Sequence, residues 1–125
     1  MKKSIVLLGV FFVMLFSCTS KVAEVKNISV DELQMLLKDN KAIQLVDVRT
    51  PTECAEGTIS NALEINVTAD GFENIALKKL DKAKPVYLYC RSGGRSKIAS
   101  ELLLKKGFET YNVLGGYNAW KQKKK

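Results

Sequence analysis

The chain has 125 residues, a formal net charge of +7 at pH 7, three cysteines and no histidine. A chain of this length accommodates one domain with one hydrophobic core. The positive charge does not indicate a nucleic-acid-binding protein, because aromatic residues are not interleaved with the lysines and no recognised nucleic-acid-binding motif is present. We therefore expect one domain with no nucleic-acid partner.

Residues 1–17 have the organisation of a signal peptide. Two lysines precede an apolar run over residues 5–16, and this run is too short to span a membrane. The sequence LFSC, which ends at Cys18, resembles the lipobox of bacterial lipoproteins, in which the cysteine is diacylated and becomes the first residue of the mature chain. The resemblance implies a lipid on Cys18, and ordinary secretion with Cys18 incidental is the alternative.

A lipid on Cys18 implies a place in the cell. The chain would be attached to a membrane of the bacterial cell envelope, with its domain facing the periplasm or the exterior. Residues 18–24 are then the lipidated cysteine and a short polar linker, and the folded domain is predicted over residues 25–120. The last segment, residues 121–125, contains four lysines. We interpret it as a solvated basic tail rather than a specific contact with anionic lipid.

The domain is predicted to open on a helix. Ser29 and Glu32 have the spacing of a capping box, in which each residue satisfies a backbone N–H group of the other. Leu33, Leu36 and Leu37 follow at helical spacing and form an apolar face. This pattern predicts a helix with one face in the core.

Strands and helices alternate along the rest of the domain. Apolar or alternating runs predict strands over residues 42–48, 62–67, 86–90 and 110–114. Helical spacing predicts helices over residues 70–80 and 96–106, with a last helix from about Gly116. Such alternation over short connections predicts an α/β fold, a mainly parallel sheet with helices on both faces. The carboxyl ends of its strands form the ligand-binding edge, where Asp47, Arg49, Cys90 and Gly115 fall.

A cysteine stands at one of these strand ends, within the sequence VYLYCRSGGRSK. Cys90 follows the buried strand and precedes a helix, whose N-terminus offers free backbone N–H groups to an anion. Gly93 and Gly94 allow these amides to point inward, and Arg91 and Arg95 add positive charge. We expect an acidic, nucleophilic thiol, with a buried structural cysteine as the alternative.

Three ordered motifs resemble those of the rhodanese sulfurtransferases. LVDVRTPTECAEGTISNALEINV, at residues 45–67, is similar to the first signature of the family. YCRSGGRS contains the active-loop pattern C-R-x-G-x-R, and VLGGYNAW is similar to the closing signature. Two positions depart from the first signature: Thr58 replaces the usual histidine, and Cys54 replaces an aromatic residue. The matching positions of that signature are Asp47, Val48, Arg49, Glu53, Gly57, Ile59, Ala62 and Asn66.

The resemblance implies that Cys90 carries a sulfane sulfur as a persulfide, without a metal or another cofactor. Arg91 and Arg95 would bind the donor anion or close the loop. Backbone N–H groups of Ser92, Gly93, Gly94 and Ser96 would hold the sulfur anion. Asp47 and Arg49 are expected to brace the site, with Arg49 paired to Glu53, and Tyr117 and Trp120 to pack in the core. The expected partners are a small sulfur-containing anion as donor and a thiol, cyanide or a protein as acceptor, and we expect a monomer.

Other interpretations remain open from the sequence. A persulfide carrier that serves a partner protein needs the same cysteine as an enzyme. Cysteine-dependent phosphatases have five residues between cysteine and arginine, whereas four separate Cys90 from Arg95, so phosphatase activity is disfavoured. A Cys54–Cys90 disulfide would suit an exported protein, but it does not account for the glycines and arginines around Cys90.

Overall fold

The computed structural model describes residues 23–40 and 42–123. The strands are β1 (Lys26–Ile28), β2 (Gln44–Asp47), β3 (Leu63–Glu64), β4 (Val86–Tyr89) and β5 (Thr110–Val113). The helices are α1 (Val30–Asp39), α2 (Pro51–Ala55), α3 (Phe72–Lys79), α4 (Gly94–Lys105) and α5 (Gly116–Lys123).

The strands form one sheet in the order β1-β5-β4-β2-β3, and every pairing among them is parallel. The predicted α/β fold with a mainly parallel sheet is therefore confirmed. Strand β4 lies at the centre, and all four of its residues are buried. Its register places Tyr89 beside Asp47 and Leu88 beside Asn112. The residue after β4 thus leaves the middle of the sheet at its carboxyl edge, which is where Cys90 lies.

Alternate residues of the strands point to opposite faces, and helices cover both faces. On one face, Leu88 packs in a cluster with residues of α3 and α4, including Phe72 and Leu103. On the other face, Tyr89 packs in a cluster with Leu33 of α1, against which Trp120 of α5 also packs. This two-sided covering holds β4 rigidly and fixes the position of the residue that follows it.

Several predicted elements agree with the structure in type but differ in extent. Helix α1 begins at the predicted capping box, with Glu32 N–H donating to Ser29 Oγ at 3.0 Å and Ser29 N–H donating to Glu32 Oε1 at 2.8 Å. The strand predicted over 62–67 is shorter in the structure, where only the two residues of β3 pair with β2 in a regular ladder. Beyond β3 the chain continues along β2 without regular strand structure. Helix α4 begins two residues earlier than predicted, at Gly94.

Two elements were not predicted. Strand β1 has only three residues, two of them exposed, so it carries no apolar run to signal it. Helix α2 is one short turn that starts with a capping box between Thr50 and Glu53. The apolar side chains of Ile75 in α3 and Ile98 in α4 are exposed, at 39% and 55%.

The N-terminal predictions concern residues outside the described part of the chain. The signal peptide over residues 1–17 and the lipidation site Cys18 both fall there. Within residues 23–40 and 42–123, none of the helices combines the length and apolar character needed to cross a bilayer. The predicted basic tail starts inside α5, which continues to Lys123, and the Lys123 ammonium lies 2.6 Å from Asp31 Oδ1.

Candidate active site

Cys90 directly follows β4 and is 1% exposed. Residues 90–96, which we call the Cys90 loop, run from the end of β4 into the first turn of α4. The loop therefore has a rigid strand on one side and the amino end of a 12-residue helix on the other. A helix of this length presents its free N–H groups and partial positive charge to an anion at its start.

The environment of the Cys90 thiol favours its anionic form. Burial raises the pKa of Cys90, but hydrogen bonds from the Ser96 hydroxyl and from the backbone N–H groups of Ser96, Gly93 and Ser92 outweigh burial and lower it below the ordinary value of 9.0. The Gly93 N–H donates to Sγ at 3.1 Å, and Ser96 Oγ lies 3.5 Å from Sγ. Gly94, predicted to offer its N–H group, is the first residue of α4.

Asn112 of β5 is a residue of the site that the sequence analysis missed. It is 3% exposed. Its Oδ1 accepts a hydrogen bond from Ser96 Oγ at 2.6 Å, and its Nδ2 donates to the Gly93 carbonyl at 3.3 Å. Asn112 therefore holds Gly93 and Ser96, two of the loop residues that contact the sulfur. A polar amide inside a predicted buried strand is the signal that would have identified it, because buried polar groups need partners.

The amino end of α5 donates backbone hydrogen bonds to the Cys90 loop. Tyr117 N–H donates to the Cys90 carbonyl at 2.8 Å, and Asn118 N–H donates to the Arg91 carbonyl at 3.0 Å. Gly116 permits this approach, since a Cβ atom there would lie 2.5 Å from the Cys90 carbonyl oxygen. Gly116, the second glycine of the closing motif, thus allows close backbone contact with the Cys90 loop.

Both arginines of the Cys90 loop bind one carboxylate, that of Glu53 in α2. Arg95 Nη1 and Nη2 lie 2.8 and 2.9 Å from Glu53 Oε1 and Oε2. Arg91 Nε and Nη2 lie 3.1 and 2.9 Å from Oε2. The predicted pair between Arg49 and Glu53 is therefore wrong. The capping box of α2 turns Glu53 back toward Thr50 and the loop, where the two arginines reach it.

Arg49 binds Asp47 instead, in a buried ion pair. Arg49 Nη2 lies 2.7 Å from Asp47 Oδ2, and both side chains are at most 1% exposed. Burial lowers the pKa of Arg49, but the hydrogen bond and charge of Asp47 outweigh it and raise the pKa above its ordinary value. Arg49 also donates to the Gly57 carbonyl at 2.7 Å, and its guanidinium carbon lies 4.2 Å from the Tyr117 ring centre. The pair thus supports the residue whose N–H group holds Cys90.

The second cysteine has the opposite character. Cys54 is 6% exposed, and burial together with the charges of Asp47 and Glu64 raises its pKa to about 12. Cys54 and Cys90 are both free thiols. Of the two, only Cys90 has an environment that favours a thiolate. Among residues 23–40 and 42–123, no group of three or more His, Cys, Asp or Glu side chains is placed to hold a metal ion.

Comparison with known proteins identifies the family. Residues 29–123 match the model of the rhodanese-like domain. This chain belongs to the rhodanese-like family. The resemblance found in the sequence motifs is thereby confirmed, and the rhodanese-like domain covers nearly all of the described residues.

Relatives with assigned names support the same grouping. A sulfurtransferase of Allochromatium vinosum is 36% identical over 97 residues, which cover 77% of this chain and 88% of that protein. A thiosulfate sulfurtransferase, GlpE, of Coxiella burnetii is 35% identical over 97 residues, which cover 77% of this chain and 87% of that protein. The crystal structure of a rhodanese-like domain protein from Staphylococcus aureus is 38% identical with a TM-score of 0.71, covering 77% of this chain and 91% of the other.

Proposed function

We propose that this rhodanese-like protein is a sulfurtransferase in which Cys90 takes a sulfane sulfur from a small, thiosulfate-like anion and passes it to a thiophilic acceptor. The observation that carries the proposal is the position of Cys90 Sγ at the amino end of α4, 3.1 Å from the Gly93 nitrogen that donates to it. The family and the sulfurtransferase relatives support the same reaction class.

In the first step, the donor transfers its outer sulfur to Cys90. The Cys90 thiolate attacks the outer sulfur of the donor, so that a new S–S bond forms on Cys90 while the donor's own S–S bond breaks. With thiosulfate, sulfite leaves and takes the bonding electron pair. No proton has to move if Cys90 enters as a thiolate, which its lowered pKa favours. A neighbouring base such as histidine is therefore unnecessary.

In the second step, Cys90 passes this sulfur to the acceptor. A nucleophilic acceptor attacks the outer sulfur of the Cys90 persulfide, the S–S bond to Cys90 breaks, and Cys90 leaves as a thiolate. Cyanide is the simplest acceptor and becomes thiocyanate. Until the acceptor arrives, the N–H groups at the start of α4 stabilise the terminal sulfur anion, as they do the resting thiolate.

Phosphatase chemistry is the less suitable use of this loop. Only four residues separate Cys90 from Arg95, which leaves a smaller cradle than the five-residue spacing of cysteine-dependent phosphatases. Arg95 also has two of its nitrogens bound to Glu53. A small sulfur anion suits this space better than a phosphate ester.

Activity measurements with two cysteine variants test the proposal. Cys90→Ser should abolish formation of thiocyanate from thiosulfate and cyanide, while Cys54→Ser should retain most of it, because the Cys54 thiol is held neutral. Many turnovers per chain indicate an enzyme, whereas a single turnover indicates a persulfide carrier. Loss of activity in Cys54→Ser alone would contradict the assignment of the nucleophile.

We also propose that a lipid on Cys18 attaches the protein to the bacterial cell envelope with its domain on the outer side of a membrane. The support is in the sequence, where an apolar run over residues 5–16 leads into LFSC. Cys18→Ala should then leave an unlipidated precursor. Recovery of wild-type protein cleaved elsewhere and free of lipid would reduce the proposal to secretion.

A further inference from the structure

Glu53 is bound by Arg91 and Arg95, the two arginines that the sequence motifs assign to the donor anion. Its two carboxylate oxygens accept hydrogen bonds from four arginine nitrogens, two of Arg91 and two of Arg95. The Glu53 side chain is only 15% exposed, whereas those of Arg91 and Arg95 are 47% and 30% exposed. An incoming anion therefore reaches the arginines from the solvent side and meets a carboxylate already bound to them.

Glu53 is also held by Thr50, at the start of its own helix α2. Its Oε1 accepts hydrogen bonds from the Thr50 backbone N–H and hydroxyl, each at 3.1 Å, as part of the capping box of α2. The hydrogen bond from Arg95 is the main reason that the pKa of Glu53 lies well below its ordinary value. Glu53 is thus a fixed negative charge throughout the neutral range.

Charge balance limits what the site can bind. Two arginines and one carboxylate leave one net positive charge, and the Cys90 thiolate on the same loop offsets that charge. A donor with one negative charge can use the free faces of the arginines. A dianion must either displace Glu53 or accept its repulsion at short range.

We propose that Glu53 is a specificity-determining residue that competes with the donor for Arg91 and Arg95, and that it selects sulfane donors with one negative charge over dianions such as thiosulfate. The inference rests on the sulfurtransferase function proposed above and names its preferred donor class. That class comprises thiosulfonates and organic persulfides whose reacting end carries a single charge.

Two donors isolate the effect of charge. Methanethiosulfonate and thiosulfate have the same outer sulfur, but a methyl group replaces one charged oxygen. Both give the same Cys90 persulfide: the Cys90–S bond forms, the donor S–S bond breaks, and the leaving group, sulfinate or sulfite, keeps the electron pair. Because the leaving groups differ, the effect of donor charge is measured as the change in the ratio of the two KM values between the wild type and a variant.

The test compares these donors in the purified full chain, in Glu53→Gln and in Glu56→Gln. Glutamine can still accept from Thr50 in a capping box, so α2 is retained. Glu56 is exposed on the same segment, and its variant makes the same change in net charge. We expect Glu53→Gln to lower the KM for thiosulfate by about tenfold, the scale of one charge-assisted contact in a partly exposed site. The KM for methanethiosulfonate should change much less, and Glu56→Gln should leave both near wild type.

An equal change for both donors in Glu53→Gln, or a higher KM for thiosulfate, would mean that Glu53 only orders the loop, and would overturn the inference. Absence of a Cys90 persulfide with either donor would instead overturn the proposed function itself.

Discussion

Ser96 Oγ lies 3.5 Å from Cys90 Sγ, at the first turn of the helix that the Cys90 loop enters. The Ser96 hydroxyl has one hydrogen, and Asn112 Oδ1, at 2.6 Å, competes for it. Among the hydrogen bonds that lower the pKa of Cys90, the one from this hydroxyl nevertheless has the largest effect. The thiolate therefore depends on one side chain as well as on backbone N–H groups.

Ser96→Ala should raise the pKa of Cys90, because it removes that donor and leaves only the backbone N–H groups. The rate of Cys90 alkylation by iodoacetamide follows the thiolate fraction, so its midpoint should move to higher pH. Below the midpoint the rate should fall by up to about tenfold, the worth of one hydrogen bond to a charged group. Ser92→Ala is the matched control, because Ser92 is exposed and contributes its backbone N–H group. Equal profiles in the two variants would contradict the role of the Ser96 hydroxyl.

Cys90 and Cys54 should differ sharply in reactivity as a function of pH. The pKa of Cys90 is lowered, so its alkylation should be half-maximal below pH 9.0, the ordinary thiol value. The pKa of Cys54 is raised to about 12, and its side chain is 6% exposed, so it should stay unmodified near pH 7 until the protein unfolds. Peptide mass mapping after brief treatment measures both sites. Modification of Cys54 before Cys90 would contradict the description of the two thiols.

Gly116→Ala should destabilise the protein and distort the Cys90 loop. Its backbone has φ of +53°, and a Cβ atom would lie 2.5 Å from the Cys90 carbonyl oxygen and 2.7 Å from that of Arg91. We expect a loss of about 3 kcal/mol or more in the free energy of unfolding, together with loss of sulfur transfer. Gly71→Ala is the control, because φ there is +82° with no atom within 4 Å of a Cβ. Gly71→Ala should lower the free energy of unfolding by about 1 kcal/mol and retain activity. Denaturant unfolding measures the loss in both variants.

Arg49→Met should cost far more stability than removal of an exposed ion pair. It leaves Asp47, which is fully buried, without its partner, and such a change typically lowers the free energy of unfolding by about 3–5 kcal/mol. Lys97→Met removes the exposed pair with Glu101, whose atoms are 3.7 Å apart, and should cost about 0.5 kcal/mol or less. Similar losses in the two variants, measured by denaturant unfolding, would contradict the importance of the buried pair.

The sequence predicted the features that depend on neighbours along the chain. The alternation of strands and helices, the capping box at Ser29 and the placement of Cys90 before a helix are all local patterns, and each is found in the structure. Strand β1 was missed because its stability comes from pairing with β5, more than 80 positions later in the chain, and not from its own composition.

Apart from the Asp47–Arg49 pair, which spans two positions, the site contacts that were missed or mistaken join residues far apart in sequence. Glu53 was assigned to Arg49, four positions away, whereas its partner Arg95 is 42 positions away. Ser96 and Asn112 are 16 positions apart and meet because β4 and β5 are adjacent strands. Spacing in the sequence indicates which residues can share a helix face, but only the order of the strands determines which of these side chains meet at the sheet edge.

Sulfur transfer by Cys90 is tested most directly by the intact mass of the full chain before and after excess thiosulfate, and again after cyanide. We expect thiosulfate to add the mass of one sulfur atom, peptide mapping to place it on Cys90, and cyanide to remove it as thiocyanate. Cys90→Ser should show no change in mass under the same treatment. An unchanged mass in the wild type, or a sulfur that maps to Cys54, would contradict the central claim that the Cys90 loop holds a transferable sulfur.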